Sequence, residues 1–285
     1  MRYFSRAVLL LSVVFFACIL AAQTENAQKP KLSARDVLTR AQSAISAGTP
    51  IQDVVLTGKV RRIAGSTDES GTAELKALVS GEARLDLSFP SGPLGEVYAH
   101  GERGPVGEWS GADHKSHAMA YHNLLVDAAW FSPALLLERA STEGKTVMMV
   151  GKANSGGHPL DHLRVASPPP GPTAKNQTAP GLPQKFADAI QKASRFDLYL
   201  DAVTSLPTEM DFQTHPDTNL GQDIPVRIRY LDYRAVNGVQ VPFRIQKFLN
   251  GTLYLDLQLD AASFNTGLAA NSFVVTAQAS RSLPQ

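Results

Sequence analysis

The chain has 285 residues and a formal net charge of +1, with 44% of its residues hydrophobic, 19% charged and a single cysteine, Cys18. That is an ordinary globular composition, long enough for one large domain or two small ones. Near-zero charge without a basic stripe gives no electrostatic reason to expect nucleic acid as a partner, and a lone cysteine excludes both an internal disulfide framework and a cysteine-rich zinc site.

Arg2 and Arg6 precede an apolar run from Ala7 to Leu20, which has the length of a signal h-region and is short for a bilayer span. Leu20-Ala21-Ala22 offers a cleavage site. Residues 1–22 therefore read as a signal peptide, and 23–31 as a polar, disordered segment. The expected product is exported and soluble. Lipid anchoring at Cys18 is the alternative, but of Phe15-Phe16-Ala17 before it only Ala17 suits a lipidation signal.

From Ser33 the spacing predicts an amphipathic helix, with Val37, Leu38, Ala41 and Ile45 on one face and Gly48 and Pro50 ending it. Strands follow. Val54, Leu56, Gly58 and Val60 alternate with Val55, Thr57, Lys59 and Arg61. Gly65 to Gly71 reads as a polar turn. Ala73, Leu75, Ala77 and Val79 form the next strand, Ser80-Gly81 a turn, and Leu85, Leu87 and Phe89 a third strand. Gly95–His100 and Gly104–Gly111 read as a fourth and a weaker fifth. Tyr121 to Ala140 turns helical, and Ser132-Pro133 divides it into two short apolar helices meeting at a corner. Thr146–Val150 and Leu160–Ala166 read as strands around a Gly156-Gly157 turn. Residues 167–183 are a Pro-rich solvated loop within a single domain spanning 32–275. Phe186–Ala193 is a short helix, and 276–285 a loose tail.

Arg195 to Phe264 carries the strongest signal, five antiparallel strands in succession. Phe196, Leu198 and Leu200 alternate with Asp197, Tyr199 and Asp201. Met210 and Phe212 alternate with Asp211 and Gln213. Val226, Ile228 and Tyr230 alternate with Arg227 and Arg229. Phe243 and Ile245 follow the Asn237-Gly238 hairpin turn. After Asn250-Gly251, Leu253, Leu255, Leu257 and Leu259 stand opposite Tyr254, Asp256, Gln258 and Asp260. A period of two puts the apolar set on one face of a half-buried sheet. The fold class is α+β: a large antiparallel sheet with helices to cover its oily side.

The order of elements, with several phrases, resembles the LolA/LolB-like lipoprotein-carrier superfamily. Asp201-Ala202-Val203-Thr204-Ser205-Leu206-Pro207 is similar to that group's D-x-x-T-x-L-P hairpin. Asp232 to Phe243 is similar to its D-Y-R-x-V-x-G-x-x-x-P-F phrase, and Gly71–Phe89 to its early hairpin. The resemblance implies a curved sheet forming an unclosed barrel around or capped by helices, in the periplasm, whose concave apolar side holds acyl chains of a lipid or lipoprotein. It also implies a second role, an envelope-stress sensor that docks a membrane protein. Each buried methylene contributes about 0.8 kcal/mol, so a chain of about a dozen carbons needs no catalytic group to be held. The expected cavity lining is Phe196, Leu198, Leu200, Met210, Phe212, Val226, Ile228, Tyr230, Leu253, Leu255 and Leu257 from the sheet, with Trp130, Phe131 and Leu135 from the helical stretch.

Enzymatic readings find little support. His114, His117 and His122 could be imagined as a metal-dependent hydrolase centre, but they lack the helix-borne H-E-x-x-H pattern. Ser110, in Gly107-Glu108-Trp109-Ser110-Gly111, misses the nucleophile-elbow spacing. No phosphate-binding or dinucleotide glycine pattern is present, so no cofactor is expected.

Overall fold

In the computed structural model the alternation becomes one antiparallel sheet of thirteen strands among the described residues, which are 32–102, 104–111, 115–142, 144–167 and 184–276. The expected leader, the segment to 31, the Pro-rich loop from 168 and the tail beyond 276 lie outside the described residues. In chain order the elements are α1 (Ala34–Ser46), β1 (Asp53–Ala64), β2 (Thr67–Leu78), β3 (Ala83–Phe89), β4 (Gly92–Gly101), β5 (Gly104–Ser110) and β6 (Ser116–Ala118). A 3₁₀ turn (Tyr121–Leu124) and α2 (Pro133–Ala140) follow, then β7 (Thr146–Ser155), β8 (His158–Ala166) and α3 (Gln184–Ala193). The chain continues with β9 (Phe196–Asp201), β10 (Pro207–Thr214), β11 (Ile224–Val236), β12 (Val239–Leu249), β13 (Thr252–Phe264) and a second 3₁₀ turn (Ala270–Phe273).

The strand order is β6-β5-β4-β3-β2-β1-β13-β12-β11-β10-β9-β8-β7. Every neighbouring pair is consecutive in sequence except β1 and β13. The chain lays one arm outward from β1 to β6, then returns from β7 and docks β13 on β1. Among the described residues the sheet does not close on itself, and its edge strands, β6 and β7, follow one another in the chain. The connection between them, residues 119–145, is therefore a strap that runs from one edge to the other. It carries Trp130, Phe131 and α2.

One face of the sheet is oily because the period-two positions point there, and α1 and α2 lie against it. Val37, Leu38, Ala41 and Ile45 of α1 are all buried, as the spacing predicts, and share a core with Leu56, Leu75, Leu85, Leu198, Ile228 and Leu257. α1 stops where Ala47 and Gly48 turn left-handed (φ 48° and 84°). Gln42 ties it to α2, donating to the Leu137 carbonyl at 3.4 Å and to Ser141 Oγ at 3.0 Å. The opposite face is charged and paired across strands. Arg164 grips Asp197, Arg227 grips Asp211 and Arg244 grips Asp256, each with two hydrogen bonds. Such half-exposed pairs contribute little stability each, but they keep that face wet.

The two family-like phrases meet. Asp201 caps the β9–β10 hairpin by accepting the N–H groups of Val203 (2.9 Å) and Thr204 (2.7 Å), which lets Ser205 take φ 62°. Tyr233 then reaches across and donates to the Pro207 carbonyl at 2.7 Å.

Three expectations are corrected. The polar turn expected at Gly65–Gly71 is a turn at Gly65-Ser66 only, because Arg61 and Arg62 pair with Asp68 and Glu69 and extend the β1–β2 ladder beyond the core. β6 is a strand the sequence reading did not contain. Of the two helices expected in 121–140 only α2 forms, since the earlier part is held by side chains instead of an i→i−4 ladder. Asn123 accepts the His215 N–H (3.1 Å) and donates to the His215 carbonyl (2.8 Å), and Asp127 accepts the Ala129 N–H (3.0 Å).

Candidate functional site

The site is built where the strap meets the sheet. Asp127 is buried and forms an ion pair with Arg139 Nε at 2.9 Å, which fixes the corner before α2. That corner sets Trp130, whose carbonyl accepts a hydrogen bond from the Tyr230 hydroxyl at 2.6 Å. Burial holds the Tyr230 hydroxyl well above the usual phenol range, with Asp127 adding to it, so it stays a donor. Phe131 packs edge-on to Trp130 at 5.7 Å between ring centres.

Beside Trp130 lies a cleft of about 250 Å³ on the face that the helices cover. Its apolar walls are Trp109, Trp130, Phe212, Val226, Leu249 and Tyr254, and Glu96, Asp217 and Lys247 are its charged members with Asp127. Both tryptophans of the sequence are here. Trp109 is partly exposed at the rim, stacked on His117 at 4.2 Å. Lys247 extends its ammonium over the Trp130 ring, 4.7 Å from the centre.

The expected lining residues divide. Trp130, Phe212 and Val226 line the cleft. Phe196, Leu198, Leu200, Met210, Ile228, Tyr230, Leu255, Leu257, Phe131 and Leu135 are all in the packed core, at 3% exposure or less. They pack there against residues of α1, α2 and the strap. Leu253 lies elsewhere. A register shift between Lys247 and Phe248 makes Tyr254 the extra residue, so Leu253 pairs with Phe248, on the charged face, while Tyr254 joins the cleft. A bulge of this kind reverses facing beyond it, and strict alternation cannot show it.

Lys247 lines the cleft without having been expected there, as do Trp109, Leu249 and Tyr254. Its signal was parity: Phe243, Ile245, Lys247 and Leu249 share a face, and Lys247 pairs laterally with Ile228 and Leu255. A lysine at a core position was there to be noticed.

The histidines do not assemble a metal centre among the described residues, which contain no group of three His, Cys, Asp or Glu placed to share an ion. His114 lies outside the described residues. His117 stacks on Trp109, and His122 instead meets His215 edge-on at 5.6 Å.

Comparisons with known proteins return structural likeness only. No family model matches the sequence, and no curated protein does. A LolA superfamily protein from Nitrosomonas europaea is 10% identical, with 86% of this chain and 99% of that one covered, at a TM-score of 0.49. A Vibrio parahaemolyticus domain described as outer membrane lipoprotein-sorting is 14% identical, over 84% and 97% of the two chains, also at 0.49. A DUF1329 family protein from Desulfovibrio piger is 10% identical, over 85% and 95%, again at 0.49. The unclosed antiparallel sheet around helices, seen directly, is the α+β open-barrel architecture that the sequence phrases implied.

Proposed function

We propose that the protein is an exported, non-enzymatic binder of single apolar chains, those of a lipid or of a lipoprotein's acyl group, taken up at the Trp130 cleft. The observation that carries this reading is the convergence of both tryptophans with Tyr254, Phe212, Val226 and Leu249 on one hollow of the covered face. Its volume, about 250 Å³, lies just under the roughly 300–1,000 Å³ usual for small-molecule sites. The cleft thus accepts the first part of a chain. Export rests on the leader at 1–22, and the periplasm is the compartment that suits a lipid binder of this form.

The test uses the protein's own tryptophans. Titration with a neutral twelve-carbon amphiphile below its micelle concentration is expected to shift tryptophan emission and saturate at one ligand per chain. Native mass spectrometry of protein purified from envelope extract is expected to show the adduct. An unmoved emission spectrum with no adduct would sink the reading. A second reading, docking of a partner protein by strand addition, is favoured by β7, an edge strand on which Met148 and Val150 are half exposed.

A further inference from the structure

We propose that the cleft selects amphiphiles with an anionic oxygen head group, carboxylate or phosphate, and that Lys247 Nζ and Trp130 Nε1 are the donors that hold it. The inference rests on the cleft being the binding site.

Lys247 stands in an oily row. Its lateral neighbours Ile228 and Leu255 are 0% and 3% exposed, and Ile245 before it on the same face is 0% exposed. The ion pairs on the sheet's other face leave few cations idle, yet among the described residues Lys247 has neither hydrogen bond nor ion pair, only the Trp130 ring beneath it. The Trp130 indole N–H is buried and likewise has no acceptor. The ammonium thus lies against the ring that carries the buried, unpaired N–H, and a buried donor without an acceptor is costly unless something arrives to accept from it.

The carboxylates of the cleft are engaged, while the uncharged Gln213 Oε1 is buried without a donor. Asp127 holds Arg139, and Asp217 accepts from the Ala120 N–H and from Asn123, both at 3.2 Å. Glu96 accepts from the Tyr98 hydroxyl at 3.3 Å. A cationic head group would find its aromatic seat occupied by Lys247 and its carboxylates engaged. An anionic one completes both open donors, while its chain lies along Phe212, Val226 and Leu249.

The experiment titrates the full protein, Lys247→Gln and Lys247→Arg with dodecanoate, dodecyl phosphate and neutral monododecanoylglycerol, read by tryptophan emission. Both anions are expected to bind the wild type about tenfold tighter than the neutral ligand, a charge-assisted increment. The Gln variant loses that gap and the Arg variant keeps it. The order of the two anions distinguishes a fatty-acid from a phospholipid source. Equal wild-type affinity for all three overturns the head-group inference and leaves apolar binding standing. Binding of none overturns the binding reading and the inference with it. A gap that persists in Lys247→Gln overturns the assignment to Lys247. Should the Gln variant not fold, salt dependence on the wild type decides: anion affinity must fall with added salt while neutral affinity stays, and indifference to salt overturns the inference.

Discussion

The hydroxyl of Tyr230, on the sheet, donates to the main-chain carbonyl of Trp130, on the strap, at 2.6 Å, and both residues are buried. It is a bond between the sheet and the strap packed on it. Tyr230→Phe leaves the carbonyl without that partner and is expected to cost about 1–3 kcal/mol in chemical denaturation. A change within error would mean that the carbonyl is satisfied otherwise and that the strap is not pinned there.

The faces of β13 make a second prediction. Leu257 is fully buried, whereas Asp256 points to the charged face and holds Arg244 at 2.6 Å. Leu257→Asp buries an unpaired charge and is expected to abolish stable folding. Asp256→Asn removes a half-exposed ion pair and is expected to cost no more than about 1 kcal/mol. Thermal melts that rank the two equally would contradict the assignment of faces.

Gly71 lies where β2 passes close to β3. A Cβ there would stand 1.9 Å from the Ser88 carbonyl oxygen, which is backbone and cannot step aside. Gly71→Ala is expected to destabilise by about 1–3 kcal/mol, as overpacking does, while Gly65→Ala, with open space but φ 61°, should cost less. Urea midpoints measured side by side decide it.

His215 makes a pH prediction. Burial lowers its pKa from 6.5, Asp223 opposes that, and His122 and Lys192 add to the lowering. The unfolded histidine takes up a proton before the folded one does. Its contribution is therefore complete above the unfolded value and is lost as pH falls through it and then through the folded value. Wild-type melting temperature is expected to drop between about pH 7 and pH 5, and the drop should shrink in His215→Phe. Identical profiles would remove His215 as the source.

Much of the fold was legible because it rests on a period of two that few residues break. Leu85, Leu198 and Ile228 are buried where alternation puts them, and Asn237-Gly238 and Asn250-Gly251 turn with positive φ at all four positions. What was hidden depends on register or on distant partners. The shift at Lys247 and Phe248 exchanges Leu253 for Tyr254, and nothing in the composition of β13 announces it. The stretch from Tyr121 looked helical because Leu124, Leu125, Trp130 and Phe131 are apolar, but the shape of Tyr121–Leu124 is set by Asn123 binding the His215 main chain, far along the sequence. The cleft escaped notice for the same reason, since its walls come from both arms of the sheet and the strap. The expected lining mixed cleft residues such as Phe212 with core residues such as Leu198 because alternation distinguishes inside from outside, not filled from empty.

The edge strands β6 and β7 are successive strands, so one length of chain spans the opening between them. Capacity and architecture are thereby decoupled. Slack added between 125 and 132 would loosen that span without altering the register of any rib, much as a longer drawstring widens a purse.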